Sequence, residues 1–115
     1  IHGESHREGR YLFLGWGGGG FSLVDNNFKK LEEHYKEVKK DDDLVILMTH
    51  APPHNTNIDM IDGEHYGNKT YLLFIKRHKP RLALAGHLHD NNNKEDQVGD
   101  TLVVNPGPEG RIISI

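Results

Sequence analysis

Short apolar runs alternate with amphipathic segments along this chain. Runs of four to six apolar residues are typical of strands that are buried on both faces of a sheet. Apolar residues spaced three and four apart instead predict helices with one buried face. This pattern predicts helices that begin after residue 27 and at about residue 68, and strands at residues 11–14, 44–48, 82–85, 101–104 and 111–115.

The order strand, helix, strand between residues 44 and 85 predicts the fold class. A helical crossover returns the chain to its starting side, so the two strands it joins run parallel. The expected class is α/β. Parallel strands end at a common edge of the sheet, and this carboxyl edge is where open α/β sheets bind their ligands.

Histidines follow directly after these two predicted strands. The string THAPPH occupies residues 49–54, and the string GHLH occupies residues 86–89. His87 and His89 project to the same side if the backbone there is extended, and Gly86 would let the chain approach a site closely. Imidazole nitrogens are ligands for borderline transition metals. We therefore predict a metal site formed by His50, His87 and His89, and the alternative is a patch of unrelated histidines.

Residues 51–66 form a polar, proline-bearing segment without periodicity, longer than most connections. Long loops at a ligand-binding edge are usually functional. For His54 we weigh a substrate-facing role against simple solvent exposure. Asp59, Asp62 and Glu64 are interpreted as solvated side chains, with orientation of an imidazole as the alternative.

The glycine run at residues 15–20 fits the pattern G-x-G-x-x-G directly after a predicted strand. A dinucleotide-binding fingerprint requires a helix that opens on these glycines. The predicted helix begins several residues later. A tight turn or close backbone packing is therefore favoured.

Composition excludes several classes of function. The 115 residues include 14 Lys and Arg against 17 Asp and Glu, a net charge of −3, so nucleic acid is not implied as a partner. Cysteine is absent, which leaves only nitrogen and oxygen as metal ligands and suits a cytoplasmic location. No apolar stretch approaches the roughly 20 residues that span a bilayer, so no membrane partner is expected.

An ordered set of strings at residues 49–53, 86–89 and 99–107 resembles the carboxyl-terminal half of calcineurin-like metallophosphoesterases of the compact single-domain type. The resemblance implies a two-sheet α/β/β/α sandwich. It also implies two divalent transition-metal ions (manganese, iron, zinc or nickel), with His50 and His87 on one ion and His89 on the other. The ions would lie roughly 3.5–4 Å apart and activate a metal-bound hydroxide for attack on a phosphomonoester or phosphodiester.

The motifs of the family's first half, Asp-x-His, Gly-Asp-x-x-Asp and Gly-Asn-His-Asp/Glu, do not occur in this sequence. We therefore expect residues 1–115 to be the carboxyl-terminal half of one domain, with its amino-terminal half absent, no catalytic acid and no activity alone. One alternative is a non-catalytic interaction module of the same fold. Another is a stand-alone histidine metal-binding domain.

Overall fold

A computed structural model describes residues 2–18 and 22–115 as a mixed sheet of six strands, a separate two-stranded hairpin and two helices. The helices are α1 (Lys29–Val38) and α2 (Lys69–His78). The large sheet has the order β1-β2-β3-β6-β8-β7, and β4 and β5 form the hairpin. The strands are β1 (Glu4–Glu8), β2 (Tyr11–Trp16), β3 (Leu44–Thr49), β4 (Met60–Ile61), β5 (Glu64–His65), β6 (Leu82–Ala85), β7 (Glu95–Val98) and β8 (Thr101–Val104).

The centre of the sheet is parallel, as the sequence predicts. β2, β3, β6 and β8 run in one direction, whereas β1 and β7 pair antiparallel at the two edges. α2 is the crossover between β3 and β6, which are direct neighbours. The α/β class is therefore confirmed, and the carboxyl ends of β3 and β6 meet at one edge.

Polar side chains cap the short 3-10 turn that precedes α1 and the start of α2. The Asp25 carboxylate accepts a hydrogen bond from Asn27 N at 3.1 Å in the short 3-10 turn before α1. The Asn68 side chain accepts from Thr70 N at 2.8 Å at the start of α2. These bonds satisfy backbone donors that have no partner within a helix. α2 ends at His78 and is capped by Lys79, which adopts a left-handed conformation directly before a proline.

The two faces of the large sheet are covered differently. Leu14, Leu47, Ala83 and Val103 lie in register on one face, and they share a buried core with side chains from both helices. The opposite face has a second apolar cluster, which contains no helical residue among those described. Part of that face is only half-buried. Its members are Phe13, Ile46, Met48, Leu82, Leu84, Leu102 and Val104, together with Ile113 and Ile115.

Several elements differ from the sequence prediction, among them the short hairpin of β4 and β5 within residues 51–66. Residues 111–115 form no strand, because Ile113 and Ile115 pack on the second apolar face without pairing their backbone. β1 was not predicted, because its five residues are polar and it pairs with β2 through backbone bonds at the edge of the sheet. In the glycine pattern, Gly15 lies within β2, whereas Gly19 and Gly20 lie outside the described residues.

In the part of the chain that is described, neither helix has the length and apolar character needed to cross a bilayer. This finding agrees with the sequence, which has no apolar stretch of that length.

An ion pair attaches the edge strand β1 to the rest of the molecule. The Arg7 guanidinium donates to the Asp43 carboxylate and to Val38 O, the latter at 2.8 Å. Asp43 also accepts from Lys40 N at 2.7 Å, and only 3% of its side chain is exposed. The hydrogen bond from Arg7 lowers the pKa of Asp43 below its ordinary value, although burial opposes the shift.

This lowered pKa predicts a pH-dependent contribution to stability. A carboxylate with a lower pKa in the folded state stabilises the protein above its unfolded pKa of about 3.9, and this stabilisation disappears as the pH falls through the folded value. We expect Asp43→Asn to be less stable than the wild type at pH 6 and to lose less stability on acidification. Denaturant unfolding at several pH values measures this, with the neighbouring exposed Asp42→Asn as control. Parallel pH curves for all three proteins would contradict the assignment.

Candidate functional site

His50 and His87 leave the sheet side by side. Thr49 at the end of β3 lies opposite Ala85 at the end of β6. One further backbone bond, from Gly86 N to His50 O at 3.2 Å, extends this pairing beyond the strands. The centres of the two imidazole rings lie 4.7 Å apart, with their planes inclined by 56°.

This spacing fits a shared metal ion. Two imidazoles that bind one ion through nitrogens at about 2.1 Å place their ring centres roughly 5 Å apart. Imidazole nitrogens suit the first-row transition metals, and they require no thiolate beside them. The donor chemistry and the separation of His50 and His87 therefore both suit a transition-metal ion.

His87 has an unusual backbone. Its φ angle is +66°, in the left-handed region that residues other than glycine rarely adopt. Such conformations cluster at functional sites, where the surrounding structure holds them in place. Burial lowers the pKa of His87, and positive charge on His50 and His89 would lower it further. These effects favour the neutral imidazole, which is the form that binds a metal.

His89 lies near this pair but in a different local structure from the one expected. The chain turns sharply at residues 86–88, with Leu88 N donating to Gly86 O at 2.8 Å, and His89 then begins a short 3-10 helix. The backbone is therefore not extended here, and the condition for His87 and His89 to project to the same side is not met. Across residues 2–18 and 22–115, no cluster of three or more His, Asp or Glu side chains is arranged as a ligand set.

A cleft of about 350 Å³ opens beside His87 and His89. This volume is in the range of small-molecule sites. Its walls come from the ends of β3 and β6 and from the segment after β8. They include Met48, Thr49, Leu84, Ala85, Asn92, Asn105, Pro106 and Pro108.

Asn105 and Asn91 position the histidine turn, and the sequence analysis did not identify either. Asn105 is 2% exposed, donates to Leu88 O at 3.2 Å and accepts from Gly107 N at 3.0 Å. Asn91 is 1% exposed and donates to Ile58 O and Met60 O. The sequence signal for Asn105 was its position in an Asn-Pro-Gly turn, which indicates a turn but not the carbonyl that the side chain contacts.

The outcome differs among the other residues singled out in the sequence. A Cβ atom at Gly86 would meet no described atom within 4 Å, and the close approach of this glycine to a bound group stays a prediction. His54 lies beside His65, with ring centres 5.7 Å apart, and its substrate-facing role stays a prediction. Asp59 is fully buried, so its interpretation as a solvated residue was wrong.

Comparisons with known proteins agree with the resemblance seen in the sequence. The model of a family described as metallophosphoesterase, calcineurin superfamily, matches residues 2–112. An uncharacterized protein of Methanocaldococcus jannaschii is 32% identical over 91 residues, which cover 75% of this chain and 39% of that protein. A UPF0046 protein of Caenorhabditis elegans is 29% identical over 86 residues, 75% of this chain and 28% of that one.

Solved structures share the fold. One crystal structure matches with a TM-score of 0.76 at 22% identity, over 93% of this chain and 45% of the other. The crystal structure of TT1561 of Thermus thermophilus matches with a TM-score of 0.68 at 22% identity, over 93% of this chain and 48% of that one. This chain therefore spans less than half the length of each of these four relatives.

Proposed function

This chain belongs to the calcineurin superfamily of metallophosphoesterases, and on that premise we propose that it takes part in the metal-dependent hydrolysis of phosphate esters. The observation that carries this proposal is the pair of His50 and His87 rings, 4.7 Å apart at the common edge of β3 and β6. The proposed substrates are phosphomonoesters or phosphodiesters, bound in the cleft beside His87 and His89.

In this proposal His50 and His87 hold one divalent ion, and His89 holds a second. Manganese, iron, zinc and nickel all accept imidazole ligands. A pair of such ions supplies a water nucleophile that is ionised near neutral pH and neutralises charge on the phosphoryl group. The chain's own contribution is to keep His87 neutral and to fix the turn that carries it, since Asn105 holds the carbonyl of Leu88.

The phosphate ester is proposed to bind in this cleft, because His87 and His89 both line it. A substrate contact by His54 rests only on its position four residues after His50. The remaining ligands and the acid that protonates the leaving group are proposed to come from outside residues 1–115.

We expect His87→Ala to lower metal-dependent turnover of an aryl phosphate ester by at least about 100-fold, because the substitution removes a ligand that supports charge stabilisation. Initial rates with added Mn²⁺ test the proposal, and they are measured on this chain joined to its proposed amino-terminal half. His6→Ala is the matched control, since this histidine side chain is 62% exposed on β1. Equal rates for His87→Ala and the wild type, at equal metal loading, would exclude the role. Metal binding without turnover in the wild type would favour the non-catalytic module instead.

We also propose that residues 1–115 form the carboxyl-terminal half of a single two-sheet domain. The support is the second apolar face of the sheet, which includes half-buried Phe13, Met48 and Leu84, and the longer chains of the relatives. A sheet face of this kind requires a covering layer. The amino-terminal half of the protein is the proposed cover.

This second proposal predicts the behaviour of the 115-residue chain when it is produced alone. We expect it to self-associate or aggregate, because exposed apolar patches drive association, and to show no phosphatase activity. Light scattering, thermal unfolding and turnover of an aryl phosphate measure these properties. A monomer with one cooperative transition and metal-dependent turnover would refute the half-domain proposal.

A further inference from the structure

A second pair of histidine rings lies in the loop between β3 and α2. The ring centres of His54 and His65 are 5.7 Å apart, and their planes are inclined by 51°. His65 belongs to β5, and His54 lies before the hairpin in the same loop. Both side chains are half-buried, so each contacts the protein on one side and solvent on the other.

A buried carboxylate fixes the orientation of His65. Asp59 has no exposed surface, and its Oδ1 lies 2.5 Å from Nδ1 of His65. The same carboxylate accepts backbone N–H bonds from Asn55 at 2.8 Å, Thr56 at 3.0 Å and Gly67 at 3.0 Å. These donors come from both ends of the loop. They hold the carboxylate in one orientation, so the position of the His65 ring is set by the carboxylate.

This contact decides which nitrogen of His65 is available. The Nδ1–H of His65 donates to the carboxylate of Asp59, so Nε2 of the neutral ring keeps its lone pair. Histidines that bind metals usually donate their other ring N–H to a carboxylate or carbonyl in this way. The buried carboxylate therefore gives His65 the tautomer of a metal ligand, and the ring of His54 lies beside it.

Backbone contacts and hydrogen bonds close the loop that carries this pair. A Cβ atom at Gly67 would lie 2.5 Å from Pro53 O, so the two ends of the loop touch through their backbones. Asn91 donates to Ile58 O at 3.0 Å and to Met60 O at 2.8 Å, which ties the middle of the loop to the histidine turn. A site on such a loop loses little conformational entropy when it binds an ion.

We propose that His54 and His65, with Asp59 orienting His65, bind one divalent transition-metal ion of the zinc, nickel or copper type, at a site separate from the His50 and His87 pair. A separation of 5.7 Å between ring centres is slightly wider than the roughly 5 Å of a tetrahedral arrangement. The proposal requires a small side-chain rotation of His54 to close that difference. Water completes the coordination, so the ion exchanges readily and binds more weakly than an ion held by a full protein ligand set.

The test counts and locates metal ions in the full protein, and its readout is binding rather than turnover. Equilibrium dialysis against Zn²⁺ with elemental analysis is expected to show one fewer weakly bound ion per chain in His54→Ala than in the wild type. Asp59→Asn keeps the size of the side chain and is expected to weaken this ion by about 10–100-fold. The matched control, His6→Ala, removes a histidine whose side chain is 62% exposed and is expected to leave the count unchanged.

A second measurement keeps the proposal testable if Asp59→Asn fails to fold. Substoichiometric Ni²⁺ is expected to broaden the imidazole NMR signals of both His54 and His65, which a structural bond to Asp59 alone would not cause. An unchanged ion count in His54→Ala, or sharp signals from both rings, would overturn the proposal. A raised KM for an aryl phosphate in His54→Ala with an unchanged ion count would also overturn it and would assign His54 to the substrate. Loss of turnover in His87→Ala tests the other site and leaves these outcomes unaffected.

Discussion

Parallel pairing between β3 and β6 is the constraint on which the candidate site depends. Thr49 and Ala85 lie opposite each other, and one more backbone bond joins Gly86 to His50 beyond the strands. A slip of one residue between these strands would exchange side chains of the helix-covered core with those of the second apolar face, and this mismatch in packing fixes the register. The sheet therefore brings the backbones of His50 and His87 together, and the turn at residues 86–88 sets the final position of the His87 ring.

Regular spacing of apolar residues is sufficient to predict most of the fold. β3, β6, β8 and both helices bury residues at fixed intervals, and that interval is visible in the sequence. A strand at the edge of the sheet is harder to predict from the sequence. β1 is polar and is held by backbone pairing with β2, which leaves no pattern of apolar residues. Conversely, Ile113 and Ile115 are spaced as in a strand, but their side chains reach the sheet without backbone pairing.

The site is predictable in position but not in conformation. Strand ends locate His50 and His87, whereas the place of His89 depends on the left-handed φ of His87 and on the 3-10 turn that follows. Neither feature has a residue pattern of its own. Asp59 shows the same limit in the adjacent loop: an aspartate among polar residues indicates solvent exposure, but the backbone donors that permit its burial exist only in the folded loop.

Crystals of the protein grown with Mn²⁺ and measured at the manganese absorption edge test the central claim, that His50 and His87 form a metal-ligand pair. The account predicts an anomalous peak between these two rings, within about 2.3 Å of one nitrogen of each, which is typical of metal–imidazole bonds. Anomalous density only at other positions, with the two rings in their present places and no ion between them, would contradict it.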